Sequence, residues 1–393
     1  MKSFTYYTPT KVVFGKGAED KSGALVKEFG GTKVLVHYGM GSVVKSGLLS
    51  RVYASLDEAG IPYVSLGGVV PNPHLDLVYE GIDLCRKEGV DFILSVGGGS
   101  CADSAKAIAY GLKYDGDVWD LYTRKSVPKD AMPVGVVITL AATGSEMSNS
   151  TVITDEKSGL KRSCTKTDLA RPRFAVMNPA LTLTLPDYQT MSGCTDIIMH
   201  TLERFFSHDK DTELTDSLAV ALIKTVMHNA HILHNDPQNY DARCEVFWAG
   251  SLSHNGLTGC GRSEDWACHQ LEHELSGMFD VTHGAGLAAV WGSWARYVYK
   301  DDPARFAKLA SEALGVSYDY TNTEKTALEG INAMENFFSE IGMPVSISGM
   351  GINLTDEQIK TLAYNCSFEN TRTIGALKVL DLEDMENIYR MAR

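Results

Sequence analysis

Four residues in the second half of the chain carry side chains that bind metal ions: Asp196, His200, His269 and His283. Asp196 and His200 are four positions apart, so on a helix they lie one turn apart on the same face and can hold one ion between them. One carboxylate and three neutral imidazoles leave a divalent ion with a net charge of about +1 and admit a substrate oxygen. The set therefore predicts a metal site that acts on a substrate.

A glycine-rich turn, Gly97-Gly98-Gly99-Ser100, follows a buried-looking strand and opens a helical stretch over residues 101–111. Glycines let the backbone approach a phosphate, and a helix N-terminus offers unpaired N–H groups and a positive dipole end. The turn is not the GxGxxG fingerprint of the usual dinucleotide fold. On this motif alone, an ordinary tight turn between a strand and a helix is the alternative.

Two further turns support the nucleotide interpretation. Tyr38-Gly39-Met40-Gly41-Ser42 ends one strand, and the hydroxyl-rich stretch Thr139 to Glu146 ends another. Three such turns at the carboxyl ends of strands make a plausible dinucleotide crevice. NAD sites usually place an Asp or Glu at the end of the second strand, whereas this chain has Ser42 there, with Lys45 one turn on. The sequence therefore predicts NADP(H) rather than NAD(H).

The elements that must position these residues change character near Pro186. Before it, four β-branched runs ending near His37, Leu66, Val96 and Ile138 alternate with amphipathic helical stretches, which predicts a parallel sheet covered on both faces. After it, long helical patterns follow one another and strand signals nearly vanish. We therefore predict an α/β dinucleotide-binding domain over residues 1–186 and an all-helical metal-binding domain over residues 187–393.

Composition restricts the partners and the compartment. The chain has 393 residues with 36 basic and 49 acidic side chains, a formal net charge of -13, and no dense Lys/Arg run. This balance argues against nucleic acid or an anionic membrane and favours a small neutral substrate. Eight scattered cysteines without a CxxC pair, and the lack of a signal-peptide core or an apolar membrane span, predict a cytoplasmic protein with reduced thiols.

A peptidase is the alternative suggested by one local pattern. His269-x-x-Glu272-His273 matches the HxxEH motif, in which both histidines bind zinc and the glutamate is the base. So short a pattern arises by chance in a helical chain with 11 histidines, and a peptidase has no use for three glycine-rich or hydroxyl-rich turns. The dehydrogenase interpretation uses both sets of residues.

Taken together, the motifs resemble those of the iron-containing or metal-dependent alcohol dehydrogenases of group III, and among them the NADPH-dependent butanol dehydrogenases and broad-specificity aldehyde reductases. The resemblance runs along nearly the whole chain. It rests on Thr8-Pro9-Thr10 to Gly17, the turn at 38–42, Pro71-Asn72-Pro73, GGGS at 97–100, residues 143–147, Asp196-x-x-x-His200, and the stretch from Gly261 to Gly286. The resemblance implies an N-terminal domain similar to that of dehydroquinate synthase, and a homodimer.

The resemblance also implies a role for individual residues. Asp196, His200, His269 and His283 are expected to bind Fe(II) or Zn(II), and His273 is expected to carry a proton rather than bind the metal. The expected cofactor contacts are Gly98, Gly99 and Ser100 at the pyrophosphate, Gly39, Gly41 and Ser42 at the adenosine ribose, Thr139 and Thr143 near the nicotinamide, and Asn72, Asp103 and Lys161 around the cofactor. The chain has Ser148-Asn149 where the nearest relatives are expected to have Asn directly after Met147.

The expected reaction is hydride transfer between NADP(H) and a small primary alcohol or aldehyde such as butanol or butanal. A metal there would act as a Lewis acid on the carbonyl oxygen. Two alternatives of the same superfamily stay open: an NAD-dependent propanediol or glycerol dehydrogenase, and a dehydroquinate-synthase-like lyase. The lyase acts on a polyanionic sugar phosphate, and only Arg262 and Arg296 lie near the metal motifs in sequence. A nucleotide-binding sensor would have no reason to keep four metal ligands.

Overall fold

A computed structural model describes residues 1–165 and 167–393. They form two compact units, which we call the sheet unit, Tyr7–Leu185, and the helical unit, Pro186–Arg393 together with Met1–Tyr6. The sequence assigns those first six residues to the α/β domain. In the structure the Lys2 amide donates a hydrogen bond to the Gly261 carbonyl at 2.8 Å, so the N-terminal segment is tied to the helical unit.

The sheet unit is built on six parallel strands in the order β1-β8-β5-β4-β2-β3. Their bounds are β1 Lys11–Phe14, β2 Val34–Gly39, β3 Tyr63–Val69, β4 Phe92–Gly97, β5 Val134–Ile138 and β8 Phe174–Met177. The central strands β4 and β5 are buried along their whole length, as expected of β-branched runs covered on both faces. A separate antiparallel hairpin, β6 Thr151–Asp155 and β7 Leu160–Cys164, has no counterpart in the sequence prediction.

Helices connect the parallel strands. They are α1 Ser22–Glu28, α2 Ser42–Lys45, α3 Leu48–Ala59, α4 Leu75–Glu88, α5 Gly99–Gly111 and α6 Trp119–Tyr122, with short 3-10 turns at Ala18–Lys21 and Pro179–Thr182. The sequence predicts one helix from Val43 to Ala59. Gly47 divides it, because its φ of 73° is left-handed and favours glycine.

The helical unit contains the remaining helices. They are α7 Asp187–Phe205, α8 Glu213–Asn235, α9 Tyr240–His254, α10 Ala267–Phe279, α11 His283–Val298, α12 Pro303–Ala313, α13 Thr323–Glu340, α14 Asp356–Cys366 and α15 Leu382–Ala392, with 3-10 turns at Leu257–Gly259, Tyr299–Asp301 and Ser348–Met350. The only pairing of strand type described in this unit is a single antiparallel bridge between Ile374 and Leu380. The predicted parallel α/β fold followed by a helical region is confirmed.

Helices α7, α10 and α11 are largely buried in the helical unit. All but the first turn of α7 is buried, and α10 and α11 carry long runs of buried residues. Side chains placed there are held by close packing on several sides. Within the described part of the chain, no helix has the length and apolar character needed to cross a membrane.

Candidate metal and nucleotide sites

The four predicted metal ligands meet on three helices of the helical unit. Helix α7 carries Asp196 and His200, α10 carries His269, and α11 begins at His283. The Asp196 Oδ1 atom lies 3.3 Å from Nδ1 of His200, 3.7 Å from Nε2 of His269 and 3.7 Å from Nε2 of His283. One carboxylate oxygen thus lies close to a nitrogen of each of the three imidazoles.

This arrangement fits a metal ion because buried polar atoms of the set lack other partners. Among the described residues, Asp196 Oδ1, His200 Nδ1 and His269 Nε2 are buried and accept or donate no hydrogen bond. Buried polar atoms are nearly always satisfied in proteins, so three orphans within one cluster indicate a missing ligand. An oxygen and three imidazole nitrogens suit Fe(II) and Zn(II) equally.

Two members of the set have the protonation that a metal ion needs, whereas His269 must release a proton, because Asp196 and Glu203 outweigh burial and raise its pKa to about 9. Burial by itself would raise the pKa of Asp196, but the neighbouring His283 and His269 hold that pKa below its ordinary value. Burial lowers the pKa of His200 well below its ordinary value. Asp196 is therefore a carboxylate and His200 a neutral imidazole, which are the forms that bind metals.

Two glutamates hold the rings of His269 and His283. The sequence-based interpretation does not include Glu203, and it names Glu272 only as the base of the peptidase alternative. Nδ1 of His269 lies 2.7 Å from Oε1 of Glu203, which also accepts the His269 backbone N–H at 2.9 Å. Nδ1 of His283 is hydrogen-bonded to Glu272 in the same way. A carboxylate that accepts the Nδ1 proton leaves Nε2 as the nitrogen that would bind a metal ion.

Helical spacing accounts for the position of Glu203 beside the metal ligands of α7. Glu203 follows His200 by three residues and Asp196 by seven, so all three lie on one face of α7. Glu272, which the peptidase alternative treats as a base, is fully buried and bonded to His283 and Ser276. In this structure its role is to position a ligand.

A second group of side chains, absent from the sequence prediction, surrounds His200. The ring of His254, at the end of α9, lies 4.1 Å from the His200 ring, and its Nδ1 accepts a hydrogen bond from Arg204 at 3.3 Å. Burial lowers the pKa of His254 well below its ordinary value. Because Arg204 only donates, the proton of the neutral His254 ring lies on Nε2.

Trp266 completes this group from the other direction. Its indole N–H donates to Glu264 at 2.6 Å, Arg204 stacks on its ring at 4.6 Å, and its edge meets the His269 ring at 5.1 Å. Trp266 has a φ of 63°, which is unfavourable for a bulky residue and persists only where the surroundings enforce it. The contacts with Arg204 and Glu264 hold the Trp266 side chain in place.

His273 lies beside the ligand set. It is half-buried on α10, and its ring centre is 5.7 Å from that of His283. Ligand atoms of His273, Glu272 and His283 come within 4.8 Å of one another. This location is compatible with the predicted proton carrier, which stays a prediction.

In the sheet unit, the three predicted nucleotide turns follow the neighbouring strands β2, β4 and β5. After β2 the chain passes to β3 on one side and then crosses to β4 on the other, so the strand order reverses between β2 and β4. Open α/β sheets bind their ligands at the carboxyl end of such a reversal. The turns at Gly39–Ser42 and Gly97–Ser100 flank it.

The glycines of these turns are needed because the turns touch one another. A Cβ atom on Gly99 would lie 2.2 Å from Oγ1 of Thr143, and one on Gly97 would lie 2.5 Å from Sγ of Cys101. A Cβ atom on Gly39 would lie 3.6 Å from the same Cys101 sulfur, which is an ordinary van der Waals contact. Glycines at 97 and 99 thus leave room for the side chains of Cys101 and Thr143, so that the turns after β4 and β5 pack closely together.

The other predicted cofactor residues occupy different settings around the turns. Asn72 is buried with a left-handed φ of 52°, and the Thr139 amide donates to the Gly97 carbonyl at 2.9 Å. Lys161 is buried on β7, near enough to Asp103 to affect its pKa. Both Asp103 carboxylate oxygens accept hydrogen bonds within the chain, from Ser145 at 2.6 Å and the Val152 amide at 3.2 Å.

The unexpected Ser148-Asn149 pair also has a structural account. Ser148 is buried, and its carbonyl accepts a hydrogen bond from Lys106 at 3.0 Å. Asn149 is half-buried, and its side chain donates to Asp168 at 3.3 Å. Neither the fold of this loop nor its anchoring depends on an Asn directly after Met147.

The fold and these two sets of residues define a metal-dependent dehydrogenase. Family comparison agrees: residues 9–179 match the iron-containing alcohol dehydrogenase model, and residues 190–393 match the C-terminal model of the Fe-containing alcohol dehydrogenase family. The chain belongs to this family, as the sequence motifs predict. It is an alcohol or aldehyde oxidoreductase that uses a nicotinamide cofactor.

Individual relatives cover the whole chain. NADH-dependent butanol dehydrogenase A of Clostridium acetobutylicum is 37% identical over 99% of both chains. The NADPH-dependent aldehyde reductase YqhD of Escherichia coli is 34% identical over 100% of both. The crystal structure of NADH-dependent butanol dehydrogenase A from Thermotoga maritima covers 100% of this chain and 99% of its own, with 38% identity and a TM-score of 0.95.

Proposed function

We propose that this enzyme transfers hydride between NADP(H) and a short primary alcohol or aldehyde, such as butanol and butanal, with Fe(II) or Zn(II) held by Asp196, His200, His269 and His283. The observation that carries the proposal is the cluster of three orphaned, buried ligand atoms backed by Glu203 and Glu272. When bound, the ion supplies Lewis acidity to a carbonyl oxygen. The helices that carry the ligands are buried, so the ligand atoms are already oriented before the ion arrives.

The remaining roles fall to residues of this chain. His273, half-buried and beside His283, is the proposed proton carrier for the substrate oxygen. Trp266 and Met278, both half-buried in the helical unit, offer apolar surface suited to an aliphatic chain. A His273→Phe variant that keeps its metal and its full kcat would remove the proton-carrier role.

The preference for NADP(H) is proposed from the end of β2. Gly39, Gly41 and the exposed Ser42 and Lys45 follow this strand, and no carboxylate stands in the turn to repel a 2′-phosphate. Four relatives that are 34–39% identical are named NADH-dependent or probable NADH-dependent butanol dehydrogenases, and one that is 34% identical is named an NADPH-dependent aldehyde reductase. The proposal therefore rests on the residues of this turn and not on the relatives. A kcat/KM clearly higher with NADH than with NADPH would contradict the proposal.

One assay separates the proposed function from its alternatives. The purified enzyme, analysed for Fe and Zn, is mixed with NADPH or NADH and with butanal, and absorbance of the reduced cofactor is followed. Turnover with butanal supports the proposal. Turnover confined to propanediol or glycerol with NAD would indicate the diol dehydrogenase instead, and the lack of any hydride transfer would favour the lyase.

The enzyme is further proposed to be a cytoplasmic homodimer. The thiols support the compartment, because all eight cysteines are free and a reducing environment keeps them so. The homodimer rests on the resemblance to the group III enzymes. Light scattering of the purified protein that gave the mass of a single chain would contradict it.

A further inference from the structure

Lys106, on helix α5, is a fully buried lysine that no predicted function uses. Its ammonium group donates to the Ser145 hydroxyl at 2.8 Å, the Ser148 carbonyl at 3.0 Å and the Ser150 carbonyl at 2.8 Å. An ammonium has three protons, and here each one has an acceptor. All three acceptors belong to one short loop, residues 145–150, which lies between β5 and β6.

The ammonium group is not held there by a direct ion pair. Among the described residues, Lys106 forms no salt bridge within 4.0 Å. Burial lowers the pKa of Lys106 to about 8, and the nearby carboxylates of Asp103 and Glu146 oppose that shift only in part. Burying a charge is costly unless hydrogen bonds compensate for it, so an apolar residue would fill this volume at a lower cost. Unlike an apolar residue, the lysine donates three hydrogen bonds to one loop and so fixes the position of that loop.

The loop that Lys106 binds is joined to the nucleotide turns. The Ser145 hydroxyl in turn donates a hydrogen bond to Asp103 at 2.6 Å, so a chain of hydrogen bonds runs from Lys106 through Ser145 back to α5. Two residues earlier, Thr143 packs against Gly99 at the start of the same helix. The position of Thr143 relative to the pyrophosphate turn is therefore fixed by the Lys106 anchor, which lies about two turns further along α5.

We infer that Lys106 is a positioning residue for the nicotinamide half of the cofactor, because it holds the loop from Thr143 to Ser150 against α5. The inference rests on the proposed function, in which Thr139 and Thr143 lie near the nicotinamide. Lys106 is thus assigned to the half of the cofactor site that binds the nicotinamide, and not to the half that binds the adenosine and pyrophosphate. Lys106 makes no hydrogen bond to the turns at Gly39–Ser42 and Gly97–Ser100, which are proposed to bind the adenosine and pyrophosphate.

The test compares two ligands on the metal-loaded, full-length enzyme. NADPH has both halves, whereas 2′-phospho-ADP-ribose lacks the nicotinamide. In Lys106→Met, the loss of charge-assisted hydrogen bonds should raise the Kd for NADPH by roughly 10- to 100-fold while the Kd for 2′-phospho-ADP-ribose stays within about twofold. Lys33→Met is the matched control, because Lys33 is also in the sheet unit but its ammonium group, among the described residues, donates only to Glu88. It should leave both constants unchanged.

A smaller change guards against a variant that does not fold. Ser145→Ala keeps the Lys106 charge and its two carbonyl acceptors but removes the link to Asp103, so a selective loss of NADPH affinity of roughly 3- to 10-fold is expected. Equal losses for both ligands in the folded variants would mean a general structural role, and no loss would mean no role at all. Either result overturns the inference.

Failure of the proposed function gives a different pattern. If the unaltered enzyme binds NADH instead of NADPH, the NADP(H) proposal is wrong, and the same comparison made with NADH and ADP-ribose decides the role of Lys106. If it binds neither cofactor, the proposed cofactor site itself is overturned, and the inference with it. If it binds NADPH and Lys106→Met binds both ligands normally, only the assignment of Lys106 is overturned.

Discussion

The two candidate sites of this enzyme are made in opposite ways. In the helical unit, Asp196 and the three histidines bring side-chain atoms together, and Glu203 and Glu272 orient two of them. In the sheet unit, glycines in the turns after β2 and β4 leave room for close contact with neighbouring side chains, such as Thr143 in the turn after β5. The metal site depends on side-chain atoms that are present. The nucleotide turns depend on glycines such as Gly99, where a Cβ atom would not fit.

This difference decides which kind of mutation damages each site. A metal site is lost when a ligand is deleted, and deletion of one glutamate behind a ligand weakens it in part. A glycine has no side chain that a mutation could remove. A turn built from glycines is therefore damaged when an atom is added. The expected effects below follow from that contrast, from the largest to the smallest.

Deleting a metal ligand should have the largest effect. His269→Ala removes the buried Nε2 atom and Asp196→Ala the buried Oδ1 atom, neither of which has a hydrogen-bond partner in the described chain. Metal retention and hydride transfer should therefore both be abolished while the sheet unit stays folded. His231→Ala is the control, because this histidine of the same unit lies at the surface, 3.5 Å from Glu340. Metal analysis and butanal turnover measure the result. Full turnover in a metal-free variant would refute the metal mechanism.

Adding one carbon at Gly99 should come next. In Gly99→Ala the new Cβ would lie 2.2 Å from Thr143 Oγ1, which forces the two turns apart, and a misplacement of about 1 Å can weaken function by roughly 100-fold. Gly99→Asp should be worse, because its carboxylate also repels the pyrophosphate. The Kd for NADPH measures both.

Two further variants test whether the clash is the cause. Thr143→Ala introduced beside Gly99→Ala removes the closest atom and should restore part of the affinity for NADPH. Gly98→Ala would meet only Leu140, at 3.7 Å, so its unfolding free energy should match that of the unaltered enzyme. Unchanged NADPH affinity in Gly99→Ala would count against the cradle.

The sequence predicts the parts of both sites whose spacing is local. Asp196 and His200 are recognisable because one helical turn separates them, and the glycine turns because each directly follows an apolar strand. Parallel order then follows from alternating strands and helices. The hairpin β6–β7 escapes prediction because its strands are short and polar, with lysine and arginine at its centre.

What the sequence does not reveal depends on partners far along the chain. Glu203 orients His269 from 66 residues away, and Lys106 anchors a loop about 40 residues away. In sequence, a lysine on a helix predicts an exposed side chain, and only tertiary packing makes Lys106 a buried donor. His254 was missed for the same reason, since its neighbour His200 lies on another helix.

Weakening the orientation of a ligand should have a partial effect. Glu203→Gln keeps the shape of the side chain but removes the charge that holds His269 in the metal-binding tautomer, so metal affinity should fall by roughly 10- to 100-fold. Glu335→Gln is the control, because Glu335 pairs with Arg296 in the same unit. Competition with a chelator measures metal release. Equal release from both variants would show that Glu203 has no orienting role.

The smallest expected effect is a loss of stability of the sheet unit at acidic pH. His37, fully buried on β2, bonds the Leu66 carbonyl and Ser104, and burial lowers its pKa from 6.5 to about 4. The unfolded chain therefore takes up this proton first, so the stability due to neutral His37 is complete above pH 6.5 and is lost as the pH falls towards 4. At about pH 5 the loss amounts to about 2 kcal/mol.

His37→Gln isolates that contribution, because a glutamine can make both hydrogen bonds but does not titrate. The comparison is made on metal-free protein, since acid also protonates the metal ligands and would otherwise release the ion. Hydrogen exchange of the β2 amides at about pH 5 and about pH 7.5 reports the local unfolding free energy in both proteins. The unaltered protein should lose about 2 kcal/mol more than the variant. Equal losses would mean that the acid sensitivity of the sheet unit arises elsewhere than at His37.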